Sequence, residues 1–265
     1  MSAPTHSKFA DNLKIHFQTP DEYFLGQPEA PFMWQGIDPR TIPEDSQEGV
    51  EICEGGVESL VSDSQELIVC VGTSAQQRAS ASHSVLMSLD APLGSPASGK
   101  SQFSRTRLAN YTRVNQDTLG TKERCVSAAA AALERGESVV IDNTNPDADV
   151  RALYLKLAKK HSTLLPRERA RDRRLADRDI ASLAEIPARC FWFQTPPEVA
   201  EHLNNYREIA TNGERKRVPS IAFGSFRKRF QAPSVAEGFT EVKKINFVCS
   251  FRSDEERERF QQWSS

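Results

Sequence analysis

Residues 94–101, GSPASGKS, combine side-chain types and a spacing that can hold phosphate, since they fit G-x-x-x-x-G-K-[ST] at every fixed position. Glycines let the backbone curl until several N–H groups point at one anion, and the helix that follows adds the positive end of its dipole. Gly94, Ser95, Pro96, Ala97, Ser98, Gly99, Lys100 and Ser101 therefore form a candidate nucleotide-binding loop. Lys100 would reach the β- and γ-phosphates, and the Ser101 hydroxyl would complete a Mg²⁺ shell. The competing reading is a Ser/Pro/Gly surface turn.

Three further positions could complete a phosphoryl-transfer site. Asp117 follows YTRVNQ (residues 111–116), a short strand pattern, and an acid beyond the carboxyl end of a parallel strand shares the crevice with the loop; the alternative is a cap for a helix over 118–135. Asp142 ends a second apolar strand within ESVVIDNTNPD, where it can hold Mg²⁺ through water or hold the loop in place. Arg207, on the later turns of a helix begun at Thr195-Pro196, could swing over the nucleotide as a lid arginine or be an ordinary surface residue. Arg227, Lys228 and Arg229 lie between Phe226 and Phe230. Basic residues interleaved with aromatics suit a nucleic-acid strand, and equally suit a basic turn with two core Phe anchors.

These positions need a scaffold, and the chain supplies the pattern of an α/β sheet. Residues 66–71 (ELIVCV) are a continuous apolar run of the kind that forms a central parallel strand covered on both faces. A phosphate loop normally follows such a strand at once, yet residues 73–93 intervene, rich in Ser, Ala and Gln. Removing 73–94 would join Gly72 to SPASGKS, so the segment reads as an insertion, with a long surface loop as the alternative. Helices are expected over 100–109, up to Arg135 before Gly136, and from Pro146-Asp147 through Arg151 to Lys160; a strand is expected at IPARCFWF, and a last strand over 241–251 ahead of a Ser253-capped helix. Residues 162–185, densely mixed in charge, read as an exposed salt-bridged helix or a second insertion, and less readily as an RNA-binding arm. Residues 1–65 do not pattern as a complete domain: 50–62 read as a short helix and the Pro-rich 31–43 as a linker.

The 265 residues allow one main core. Five dispersed cysteines with no C-x-x-C pair argue against a disulfide framework or a zinc site and for a reducing compartment, and no run of about 18 apolar residues suggests a membrane span. Charge is uneven: residues 1–70 carry three Lys/Arg against thirteen Asp/Glu, whereas 151–230 carry eighteen against nine, a basic back half compatible with nucleic acid or with a solvated helix face.

Taken together, IVCVG with GSPASGKS, VNQDTLGT, VVIDNTNPD, NNYRE and FRKRFQAPSVAEGF resemble the kinase half of the bifunctional polynucleotide kinase 3'-phosphatase family over roughly residues 66–251. The resemblance implies a P-loop three-layer α/β sandwich with a mostly parallel sheet, using ATP and Mg²⁺ to phosphorylate 5'-hydroxyl DNA ends, with RNA ends as a second class. It makes Asp117 the general base, lets Lys100 and Arg207 stabilise the transferring group, and places Arg124 and Arg151 toward DNA. It also implies DNA-repair proteins as partners, and the nucleus. Residues 1–65 then look like the end of a phosphatase domain with its linker, ahead of a kinase domain over 66–265. Gln116 stands where some members have Arg, which puts one strand contact in doubt. No D-x-D-G-T is present, so 3'-phosphatase activity is not expected, and the chain reads as an N-terminally truncated product. Two other readings stay open: a small-molecule P-loop kinase, and a non-catalytic nucleic-acid-binding remnant.

Overall fold

The computed structural model describes residues 4–29, 36–72, 98–169 and 186–263. Its centre is β1 (Leu67–Gly72), buried along its whole length, as the uninterrupted apolar run requires. β2 (Thr112–Val114), β3 (Val139–Ile141), β4 (Ala188–Phe193) and β5 (Glu241–Ile245) complete a sheet ordered β2-β3-β1-β4-β5, with every pairing parallel. Each strand returns through a helical crossover, which is how parallel neighbours are connected. β1 has β3 on one side and β4 on the other, so its C-terminal end is the switch point at which ligands bind in such sheets. This is the α/β architecture expected. The segment 73–93, read as an insertion, lies outside the described residues.

Alternation along β1 divides the core in two. Leu67, Val69 and Val71 join Cys125, Ala129 and Leu133 of α5 (Lys122–Glu134) and Tyr154, Leu155 and Ala158 of α6 (Ala148–Arg169). Ile68 and Cys70 join Leu108, Tyr111 and Phe191, and also Ile52, Cys53 and Leu60 from upstream of the sheet. That upstream segment is not the helix expected over 50–62. Gly55 and Gly56 take φ of +83° and +75°, which no right-handed helix accommodates, and only a 3₁₀ turn, Val57–Leu60, forms. At the N-terminal ends of the strands, buried Glu66 receives both Nε and Nη2 of Arg189 at 2.6 Å and the Tyr111 hydroxyl, which ties β1 to β4 and to the residue before β2.

Elsewhere the structure shortens or moves expected elements. β5 spans five residues rather than eleven, because the Asn246 and Cys249 amides turn to the carbonyls of Ile52 and Pro43. The helix expected to begin at Thr118 is split into α4 (Gln116–Leu119) and α5 by Gly120 at φ +85°. α6 does not stop near residue 160 but continues to Arg169, taking in the start of the mixed-charge segment, whose residues 170–185 lie outside the described residues.

The last helix, α9 (Asp254–Phe260), docks on α7 (Pro197–Ala210) through an aromatic group in which His202 meets Phe260 edge-on and lies parallel to Tyr206. His202 Nε2 is 2.8 Å from the Phe260 carbonyl, and burial pushes its pKa down although that bond pulls it up. The folded pKa thus lies below the unfolded value of about 6.5. As pH falls through 6.5 the unfolded chain binds the proton first, so stability is lost between there and the folded pKa. The urea midpoint should drop between pH 7.5 and 5.5, and His202→Gln should flatten that dependence; an unchanged slope would exclude His202 as its source.

Candidate active site

The second half of the phosphate loop leads into α3 (Lys100–Arg107); Gly94, Ser95, Pro96 and Ala97 lie outside the described residues. Gly99 takes φ +80°, and a Cβ on it would come 2.8 Å from Phe247 Cε2, so both its conformation and its neighbour demand glycine. Buried Thr195, just beyond β4, donates its hydroxyl to the Ser98 carbonyl at 2.9 Å and pins the loop to the neighbouring strand. Lys100 is only 5% exposed, and its Nζ donates to Ser98 Oγ at 2.7 Å. Burial pulls its pKa down to about 8, while the Asp142 carboxylate acts in the opposite direction. An ammonium desolvated in this way is prepared for an anionic ligand.

Asp142 follows β3 and is 2% exposed. Arg113 of β2 donates to its Oδ2 from Nη2 at 2.5 Å and from Nε at 2.7 Å. Its Oδ1 is buried and has no hydrogen-bond partner among the described residues. An unpartnered buried carboxylate oxygen near Lys100, with the partly exposed Ser101 at the start of α3, is an oxygen-only donor set of the kind Mg²⁺ takes, so these residues fit the ion.

Asp117 lies exposed on the first turn of α4. Across the crevice, Arg207 is half-buried on α7; burial lowers its pKa first and Arg215 next, while Asp117 raises it. The structure therefore brings the candidate base and the candidate lid arginine within each other's field. Arg105 of α3 is similarly lowered, first by burial and then by Arg113, Arg215 and Arg252, with Asp142 opposing. Arg105, Arg113, Arg215 and Arg252 were not expected from the sequence. Each is a single basic residue in an unremarkable local pattern, and only the fold gathers them.

Residues 92–233 match the family model described as AAA domain, a stretch that includes the phosphate loop, Asp117, Asp142 and Arg207. The chain belongs to that family. The AAA domain covers more than half of the chain, and similarity to curated proteins extends further. A bifunctional polynucleotide phosphatase/kinase of Schizosaccharomyces pombe is 34% identical over 249 residues, 92% of this chain and 48% of that protein. A protein of Acanthamoeba polyphaga mimivirus, described provisionally in the same words, is 30% identical over 250 residues, again 92% of this chain and 48% of its own length. The chain thus spans about half the length of the curated relatives it matches.

A pocket next to the site is built partly from residues outside the AAA domain match. A pocket of about 420 Å³ opens beside the phosphate loop, walled by Ile42 and Val50 upstream, Gln194 and Val199 after β4, and Asn246 and Phe247 after β5. Phe247 is the ring that lies against Gly99, so the pocket and the loop share a wall. Gln194 Nε2 is buried with no hydrogen-bond partner among the described residues, and the pocket lining is otherwise largely apolar.

The expected nucleic-acid contacts divide. Arg124 is exposed on the first turn of α5. Arg227, Lys228 and Arg229 are exposed on the last turn of α8 (Ser220–Arg229), a helix rather than a turn, with Phe223 and Phe226 buried beneath them. Arg229 also donates to Asp147 at 2.5 Å. Arg151 is a correction: it is fully buried and cannot face DNA. Its Nε and Nη2 form a two-pronged pair with Glu237 at 2.7 Å each, and its Nη1 serves the carbonyls of Asn145, Pro146 and Gln231. A guanidinium used in this way locks the loop after β3 to the segment after α8. Arg151→Met should cost about 3 kcal/mol in urea unfolding because it leaves Glu237 and three carbonyls without their donor. A variant of unchanged stability would remove this structural role.

Proposed function

We propose that this chain is an ATP-dependent polynucleotide 5'-hydroxyl kinase module acting on DNA ends, with RNA ends as a second class of acceptor. The observation that carries this reading is the convergence at one end of the sheet. The Asp142 carboxylate acts on Lys100 at the phosphate loop, and the Asp117 carboxylate acts on Arg207, where an attacking hydroxyl would approach. The names of the two relatives point to the same acceptor class.

On this reading Asp117 accepts the proton of the 5'-hydroxyl as its oxygen attacks the γ-phosphate of ATP, and ADP leaves. Lys100, bonded to Ser98, and Arg207, restrained by partial burial, balance the charge spread over the transferring group. Mg²⁺, when bound, neutralises phosphate charge; the Ser101 hydroxyl and Asp142 Oδ1 are the protein atoms that would hold it. The pocket beside Phe247 takes the nucleobase, with the Gln194 amide as its polar handle. Arg124, Arg227, Lys228 and Arg229 offer charge to the strand, and the module is read as acting in DNA repair in the nucleus. Residues 1–65 are read as the end of a preceding domain with its linker, and 66–265 as the kinase domain, interrupted at 73–93 and 162–185.

The deciding experiment is transfer of labelled γ-phosphate from ATP to a 5'-hydroxyl oligonucleotide, with nucleosides and sugars as competitors, beside the same protein lacking residues 73–94. Transfer that oligonucleotides alone compete for establishes the activity. Preference for a small molecule, or ATP binding without transfer to any acceptor, overturns it. Activity only after the deletion identifies 73–94 as a disabling insertion.

A further inference from the structure

The ends of β2 and β3 exchange side chains in a way that fold formation alone does not require. Asn115 occupies the capping position of α4, with extended backbone angles, yet its side chain makes no capping bond to that helix. Its Nδ2 reaches across instead, to the Asp142 carbonyl at 2.5 Å and the Asp142 Oδ2 at 3.4 Å. The capping duty passes to the other strand: Asn143 Oδ1 accepts the backbone N–H of Gln116, the first residue of α4, at 2.8 Å. A third link, the Asp142 N–H to the Val114 carbonyl at 2.8 Å, closes the exchange. Asn115 is buried, and Asn143 is steadied from behind by a 3.4 Å bond from its Nδ2 to the Tyr154 hydroxyl.

The reciprocal pair lies between the two carboxylates of the site. Gln116 is followed at once by Asp117, and Asn143 is preceded at once by Asp142. α4 is only four residues long and is cut off by Gly120, so little within the helix itself can hold Asp117 in place. The bond from outside the helix sets where its first turn sits.

We propose that Asn143 is a positioning residue that holds the first turn of α4, and with it Asp117, at a set separation from Asp142, and that Asn115 completes the clasp from the opposite strand. The assignment of a kinetic consequence rests on the kinase reading above; the clasp itself does not. Losing the bond lets the turn drift, and misplacement of a catalytic group by about 1 Å can lower turnover about 100-fold.

The test is a double-mutant cycle in the full chain with Asn143→Ala, Asp117→Asn and both together, with Asn143→Asp as the conservative variant that keeps the acceptor oxygen. Asn143→Ala should lower kcat about 10- to 100-fold with the KM for ATP unchanged, and Asn143→Asp should recover much of the loss. In the Asp117→Asn background, Asn143→Ala should change kcat less than about twofold, because the group it positions is already inert. Equal losses in both backgrounds, or no loss in either, would overturn the positioning role. Hydrogen exchange of the Gln116 amide tests the clasp whether or not the protein transfers phosphate. Protection lost in Asn143→Ala, with α5 and β3 still protected, supports it; unchanged protection defeats it. A chain that shows the exchange effect yet phosphorylates nothing would sink the kinase reading and leave the clasp standing.

Discussion

Lys100→Ala removes ATP-dependent transfer, with an expected loss of about 10³-fold or more in kcat/KM, and does so without unfolding the protein. Two features of this lysine produce the combination. Its ammonium is held by the Ser98 hydroxyl within the loop, and on the kinase reading it would meet the β- and γ-phosphates, so its contribution would grow as charge moves toward the leaving group. Its burial, which brings the pKa down to about 8, also costs stability in the absence of an anion. Truncation to Ala removes that cost together with the function. The melting temperature of the free variant should therefore equal or exceed that of the parent, while the upward shift that ATP gives the parent disappears. A variant that melts well below the parent, or still shifts with ATP, would mean that Lys100 supports the loop and not the nucleotide.

Asp117→Asn separates binding from chemistry. The residue is exposed, on a short turn, and none of the described core rests on it, so stability and the KM for ATP should be unaffected. An amide cannot take the proton of the attacking hydroxyl, and the expected fall in kcat is about 10²- to 10⁴-fold. The substitution also withdraws the negative charge that Arg207 feels across the crevice, so the guanidinium has one fewer attraction holding it on the acceptor side. Single-turnover rates with saturating ATP isolate the chemical step. Full activity in the variant would show that the base is another group.

The parts of this protein legible in the sequence were those that local pattern decides. The central strand was expected over 66–71 and lies at Leu67–Gly72, since the five consecutive apolar residues Leu67 to Val71 can only be covered on both faces. The phosphate loop was identifiable from its G-x-x-x-x-G-K-[ST] spacing, and Asp117 and Asp142 from the strands that precede them; in the structure the Asp142 carboxylate acts on the Lys100 ammonium. The failures were long-range. Nothing near Arg151 distinguishes it from a surface arginine, because its partner Glu237 is 86 residues away. Arg113 looks like an outward-facing strand residue until β3 brings Asp142 beside it. The pocket beside Phe247 depends on residues 42–51 running beside the segments that follow β4 and β5, a path that Pro-rich, aperiodic sequence does not announce. One signal was available and missed: Phe223, Phe226 and Phe230 recur at helical spacing, and α8 rather than a turn carries the basic residues.

The sheet order bears on how substrates come and go. Asp117 hangs from the end of β2, at one margin of the sheet, while the pocket beside Phe247 lies over β4 and β5 at the other, with the phosphate loop of β1 between them. On the kinase reading proposed above, acceptor and donor would enter from opposite flanks and meet at the γ-phosphate, neither standing in the exit of the other. Such a layout would allow a random-order mechanism in which ADP departs while the phosphorylated end is still held.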